Sequence, residues 1–279
     1  MLHELRLFFV SLQFLTRVPV PAWVGYEPAW LNQCVRHFPL AGCCVGAFGV
    51  IALFLALALF PPAVAVLVSM IATVWLTGAF HEDGLADTCD GLGGMVSRER
   101  ALEIMKDSRI GTYGAVGLML ALGLKAAVLT ALVQIDPLLA CAALVWSHTA
   151  SRAAPVWLMW RLPYAGDAEH AKAKPLATQV AGINVAVAAG WVLLLAAGLW
   201  CYAGGAIDGG AGIDSSASDA ADELAWMLTA AAGSAGLVVW GAARWLRRRL
   251  GGYTGDTLGA VQQVSEIVML LAWLALVRG

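Results

Sequence analysis

The chain has 279 residues, 60% of them hydrophobic and only 13% charged, with a net charge of −2. Soluble domains carry about 25% charge, so the composition excludes an ordinary soluble protein. The near-neutral balance also gives no ground for a nucleic-acid partner. It predicts an all-α, polytopic membrane helix bundle.

In chain order, residues 2–16 read as a partly amphipathic interfacial helix, with Leu5, Phe8, Phe9, Leu12 and Leu15 toward lipid. A signal peptide is the weaker reading, since no small-residue cleavage box follows before TRVPVPAW. Seven apolar spans come next, at roughly 40–60, 63–80, 114–134, 138–160, 183–203, 225–243 and 259–277. Each is near the length that crosses ~30 Å of hydrocarbon. Fourteen of the 17 Lys and Arg lie on alternate connections. These are the N-terminal segment with Arg6, Arg17 and Arg36, loop 81–113, loop 161–182, and loop 244–258 with Arg244, Arg247, Arg248 and Arg249. The positive-inside rule then predicts a cytoplasmic N-terminus and an external C-terminus. Residues 204–223 are rich in Gly, Ser and Asp and read as a flexible external loop. The six cysteines form no CxxC pair, so neither a disulfide framework nor a zinc site is indicated. No internal repeat is visible, and the closely linked spans predict a single domain over 1–279.

The second span delivers FHEDGLADTCDGLGG, residues 80–94, to the cytoplasmic face. If this stretch is helical, Asp83, Asp87 and Asp90 fall at i, i+4 and i+7 and share one face. Three carboxylates on one stripe, with Glu82 beside them, repel one another unless a cation sits between them. A hard divalent cation such as Mg²⁺ suits oxygen ligands and shares itself readily with a substrate phosphate. His81 reads as an interfacial residue rather than a ligand or base.

The same loop carries KDSRIGTYG at 106–114. Lys106 and Arg109 can hold phosphate oxygens, although either could be a topology charge. Asp107 could pair with Arg109 or join the acid cluster. Lys174 reads as a topology charge or a phosphate contact. Asp256, in GGYTGDTLGA, reads as a helix cap or as a further metal or hydroxyl partner. Lys125, Arg152 and Glu266 lie inside spans, where an unpaired charge is costly. Arg152 and Glu266 come out about 10–12 Å from the cytoplasmic side at 1.5 Å per residue. Both are expected to face the bundle interior, as a salt bridge or lining a polar cavity.

HEDGLADTCDG at 81–91 resembles the signature of the cobalamin synthase (adenosylcobinamide-GDP ribazoletransferase) family. QFLTRVPVP at 13–21, KDSRIGTYG at 106–114 and GYTGDTLGA at 252–260 resemble that family's segments in the same order. The likeness covers nearly the whole chain, the 204–223 loop being its poorest match. It implies an Mg²⁺-dependent transferase of the prokaryotic inner membrane, acting at the cytoplasmic face. The implied reaction joins adenosylcobinamide-GDP to α-ribazole or its 5′-phosphate. It yields adenosylcobalamin or its 5′-phosphate, and GMP, in the last assembly step of vitamin B12. Lipid is the surrounding partner. A homo-oligomer, or association with other cobalamin-assembly enzymes, is compatible with this reading.

For such a displacement, Asp83, Asp87 and Glu82 are the expected Mg²⁺ ligands. Asp90 is the expected general base, or else a ligand of a second metal. Lys106 and Arg109 are expected to hold the diphosphate, with Lys174, Asp256 and Arg152 as further substrate contacts. Two rivals differ in class. A CDP-alcohol phosphotransferase shares metal-bound carboxylates at a helix end, but its DG-x2-AR arrangement is absent, because Leu85, Ala86 and Asp87 follow Gly84. A cation transporter favours midplane sites on broken helices, and only Lys125 fits that pattern.

Overall fold

The computed structural model describes residues 2–166, 177–204 and 215–277, with side chains of the last stretch from residue 220 onward. The described residues form α-helices and no strand. A short helix α1 (Leu2–Leu15) and a single turn α2 (Leu31–Cys34) precede the first long rod, α3 (Phe38–Leu57). Then come α4 (Pro62–Thr77), α5 (Phe80–Gly93), α6 (Arg98–Met105) and α7 (Thr112–Ile135). The rest are α8 (Pro137–Ser151), α9 (Ala153–Arg161), α10 (Gly182–Ala203), α11 (Ser215–Arg249) and α12 (Gly255–Leu276).

Five helical stretches are long and apolar enough to cross a membrane: 28–57, α7, α10, α11 from residue 220, and α12. The count reaches six if α4 and α5 are taken as one broken span. The chain is therefore a multi-pass membrane protein. Two of the expected spans come out shorter. α4 has 16 residues and stops at Gly78 and Ala79, which take left-handed φ values of 69° and 57°. The chain then turns by 88° into α5, which runs nearly perpendicular to α4. The expected span 138–160 is two helices, α8 and α9, joined at Arg152. Pro155 explains the break: it has no N–H for the Ser151 carbonyl, and its ring crowds that carbonyl.

Two further expectations are corrected. Leu15 does not face lipid; it is buried with Leu7 and Val10, while Leu2 and Leu5 stay exposed. Glu4 explains this docking, since it meets Arg36 at 3.2 Å and His37 at 3.0 Å beside the start of α3. The expected loop 204–223 is helical from Ser215 onward. Its buried Ala221, Leu224 and Leu228 fall on one helical stripe and extend α11 beyond the apolar run.

The core has two apolar clusters. One gathers Leu7, Val10 and Phe38 with Leu158, Tyr253 and Leu258. The other gathers Leu53, Val66, Leu132 and Leu144 with Met269 and Trp273. α3 reaches α8 closely because Gly42 and Gly46 carry no side chain. A Cβ on Gly42 would run into the His148 carbonyl oxygen, and one on Gly46 would lie 2.8 Å from the Val145 Cα.

Between the two clusters along α12 lies a buried polar layer. Glu266 has no exposure and forms an ion pair with Lys125 of α7. Its other oxygen lies 3.3 Å from His148 Nδ1 and 4.0 Å from Arg152 Nη1, and accepts from Gln262 Nε2 at 2.6 Å. Gln262 also reaches Ser151 Oγ at 2.8 Å, and Arg152 Nη1 donates to the His148 carbonyl at 2.8 Å. The expected inward placement of Arg152 and Glu266 holds, with Lys125 as the closer partner. Replacing Lys125 by Met should lower stability by about 3–5 kcal/mol, because Glu266 would lose its nearest counter-charge in the interior. Adding Glu266→Gln should recover much of that loss. Thermal melting of the two purified variants checks this, and equal melting of wild type and Lys125→Met would refute it.

Candidate active site

α5 is placed from two sides, and what remains free is the candidate site. On one side it packs on the start of α12. A Cβ on Gly84 would sit 2.7 Å from the Asp256 carbonyl oxygen and 3.1 Å from its Cα, so two backbones meet there. Glu82 lies on the same inward side and accepts from Gln263 Nε2 at 3.1 Å. On the other side α5 meets the start of α7. Asp90 accepts from the Gly111 amide at 2.7 Å and from the Gly114 amide at 2.8 Å, one on each carboxylate oxygen.

These contacts divide the four predicted carboxylates. Asp83 is exposed and Asp87 half-buried, and both act electrostatically on one another and on Asp256. Glu82 is turned off that stripe, because one residue along a helix rotates the side chain by about 100°. It belongs to the interior, with its second oxygen buried and without a hydrogen-bond partner. Asp90 stays near the stripe but is a clamp. Its two amide bonds tie the 106–111 loop to α5, which puts Lys106 and Arg109 at the C-terminal end of the acid helix.

The remaining predicted residues separate in the same way. Asp107 pairs with Arg109 rather than joining the acids: Arg109 donates to it from Nη2 at 2.6 Å and from Nε at 3.0 Å. These bonds, the side-chain ones foremost, hold the exposed Asp107 carboxyl down at about 2. Lys106 ends α6 with an exposed side chain. Asp256 is not the cap of α12. Thr254 is, accepting from the Thr257 amide while Thr257 Oγ1 accepts from the Thr254 amide. Asp256 sits in the first turn and is left for the site. Arg152 lies in the buried layer, remote from solvent. Lys174 falls outside the described residues.

His81 was expected at the interface but is 4% exposed, packed where Gly259 of α12 passes its backbone. Sequence reading also missed His148, Gln262 and Gln263. A signal was present: His148 to Arg152 and Gln262 to Glu266 are both i, i+4 pairs inside apolar rods, a spacing that stacks polar groups on one face.

Burial raises the Asp87 carboxyl to about 7, helped by the nearby Asp256, Asp83 and Asp90. A half-buried carboxyl surrounded by three others favours a proton, or a cation in its place. Among the described residues no group of three or more His, Cys, Asp or Glu side chains could hold a metal ion, so an Mg²⁺ here would depend on waters and substrate phosphates for most of its ligands.

The family model for Cobalamin-5-phosphate synthase matches residues 7–274. The chain belongs to this family. It is 55% identical over 277 residues to an adenosylcobinamide-GDP ribazoletransferase of Leptothrix cholodnii, covering 99% of this chain and 97% of that protein. Proteins of the same name from Polaromonas naphthalenivorans and Shewanella amazonensis are each 42% identical. They cover 97% and 98% of this chain, and 98% and 96% of their own lengths. No solved structure matches the chain significantly. Three of the four segments that resemble the cobalamin synthase family meet at this site. HEDGLADTCDG is α5, GYTGDTLGA starts α12, and KDSRIGTYG ends on the amides held by Asp90.

Gly84→Ala should drive α5 and α12 apart and cost about 1–3 kcal/mol, since neither backbone can yield. Gly123→Ala is the control, because a Cβ there meets nothing within 4 Å. Melting curves of the two variants should differ in that order; a Gly84→Ala protein as stable as the control would show that the helices are not in contact.

Proposed function

We propose that this chain transfers the cobinamide-phosphate moiety of adenosylcobinamide-GDP to α-ribazole or its 5′-phosphate, releasing GMP. Family membership and the ribazoletransferase name of its relatives support the substrates. The observation that carries the chemistry is the Asp83–Asp87 stripe beside Asp256, with the Lys106–Arg109 loop anchored at its end by Asp90. We place the site on the cytoplasmic side of the inner membrane, with seven hydrophobic rods, an internal N-terminus and an external C-terminus. Alternating basic connections support that topology. The whole chain acts as one domain in this reading.

The displacement needs a hydroxyl brought in line with the phosphorus that stays with cobinamide, and relief of charge on the diphosphate. A bound Mg²⁺ would supply positive charge to the diphosphate oxygens. Asp83, Asp87 and Asp256 would hold it. Asp90, whose oxygens each accept one backbone amide and keep a further acceptor site, is the candidate to take the hydroxyl proton. Lys106 would steady the diphosphate as a point charge, and Arg109 would do so by exchanging Asp107 for a phosphate. That exchange is cheap because an exposed pair is worth little. Glu82 and Arg152 support α5 and α12 from within rather than touching substrate. Lys125, which might have suggested a transport site, is paired with Glu266.

The direct test mixes purified protein with GDP-cobinamide, α-ribazole and Mg²⁺ and measures GMP. GMP should appear, vanish on chelation and return with Mg²⁺; CMP release from CDP-diacylglycerol in its place would overturn the assignment. Asp83→Asn should reduce turnover roughly a hundredfold or more while the protein remains inserted. Cation binding must displace the proton on Asp87, which faces Asp83, Asp90 and Asp256. Apparent Mg²⁺ affinity should therefore rise as pH is raised through about 7 and fall below it. Asp87→Asn should flatten that dependence, and an unchanged profile in the variant would remove Asp87 from the site.

A further inference from the structure

Four arginines unused by the reaction gather at the other end of the cytoplasmic surface. Arg161 closes α9, and Arg244, Arg247 and Arg248 lie on the last turns of α11. They line one open hollow of about 510 Å³ together with Trp157 and Trp240. Among the described residues none of the four forms a salt bridge with a carboxylate. Three of them have other contacts: the Arg244 guanidinium lies 3.9 Å from the Trp240 ring centroid, and that of Arg161 5.2 Å from Trp160. Arg247 Nη2 donates to the Arg161 carbonyl at 3.4 Å. Like charges gathered together repel one another, and an anion between them removes that cost.

The hollow is not isolated. Trp157 and Trp240 also line a second groove of about 570 Å³, which runs between α8, α9, α10 and α11. Its walls are apolar and small, among them Ala154, Ala189, Val192, Ala235, Gly236 and Val239. The two indoles mark the boundary between a cationic hollow and an apolar channel, where tryptophan sits in membrane proteins. A free phosphate would fill the first and leave the second empty. A molecule with an anionic head and a hydrocarbon tail would fill both.

We propose that this composite groove binds an anionic phospholipid, with its phosphate among Arg161, Arg244, Arg247 and Arg248 and an acyl chain along Ala235, Gly236 and Val239. The chemistry is that of basic pockets between membrane helices, where each arginine near the surface contributes about 1 kcal/mol toward an anionic headgroup. The site is lined by α8 to α11 and by Met269 of α12, whereas the acid stripe is carried by α5 and the first turn of α12. The inference is therefore independent of the transfer reaction.

Native mass spectrometry of the full chain in detergent, with phosphatidylglycerol and phosphatidylcholine supplied equally, tests it without any variant. Phosphatidylglycerol should be retained at least about tenfold over phosphatidylcholine. Arg244→Gln with Arg248→Gln should lower that retention by roughly fivefold per arginine. Gly236→Leu should lower it as well, and a Cβ there has nothing within 4 Å, so the side chain enters the groove without moving the backbone. Melting curves verify that both variants are folded. Equal retention of the two lipids by the wild-type protein overturns the proposal. So does phosphatidylglycerol retention that Gly236→Leu leaves unchanged while inorganic diphosphate displaces the lipid, since the hollow is then a phosphate site alone.

Discussion

The structure depends on one buried carboxylate. Glu266 sits in the middle of α12 with no exposure, and it is acceptable there only because Lys125, His148, Arg152 and Gln262 converge on it. Removing charge from water costs several kcal/mol, and that cost is met only when the partners come close. The carboxylate therefore fixes the rotation of three helices at once: α7 through Lys125, α8 through His148, and α12 itself. Apolar packing between rods of similar composition would leave those rotations loosely specified. The same layer continues outward, since Gln263 bonds both Gln262 and Glu82. In this way a charge near mid-depth sets the orientation of α5 against α12.

α5 shows how acidic residues in one motif can differ in task. Glu82 accepts from Gln263 of α12, and Asp90 accepts from the amides at the start of α7. Asp83 is left exposed and Asp87 half-buried among the other acids. The distinction follows from neighbours in space and not from the motif, in which all four look alike.

Much of the fold could be read from the chain, and what could not has identifiable causes. Apolar run lengths reveal a multi-pass helical bundle, though five or six spans are seen where seven are expected, and the i, i+4, i+7 spacing reveals the aspartate stripe. The inward placement of Arg152 and Glu266 follows from the expense of charge in hydrocarbon. Periodicity does not show that α4 stops at Gly78 and turns, since glycine is common within membrane helices. Nor does it reveal the task of Asp90, whose partners Gly111 and Gly114 lie more than twenty residues away and are backbone groups. Leu15 was misplaced because an amphipathic helix looks the same whether its apolar face meets lipid or protein. Here the Glu4 pair with Arg36 decides the matter.

Pro155 frees the Ser151 carbonyl and ends α8, and Arg152 falls at the joint between α8 and α9. The joint places Arg152 and Ser151 in the interior layer, where Arg152 faces Glu266 and Ser151 Oγ accepts from Gln262. Beyond it, Trp157 and Arg161 of α9 lie beside Trp240 and Arg244 of α11. The joint thus borders both the polar layer behind α5 and the hollow in which the arginines gather.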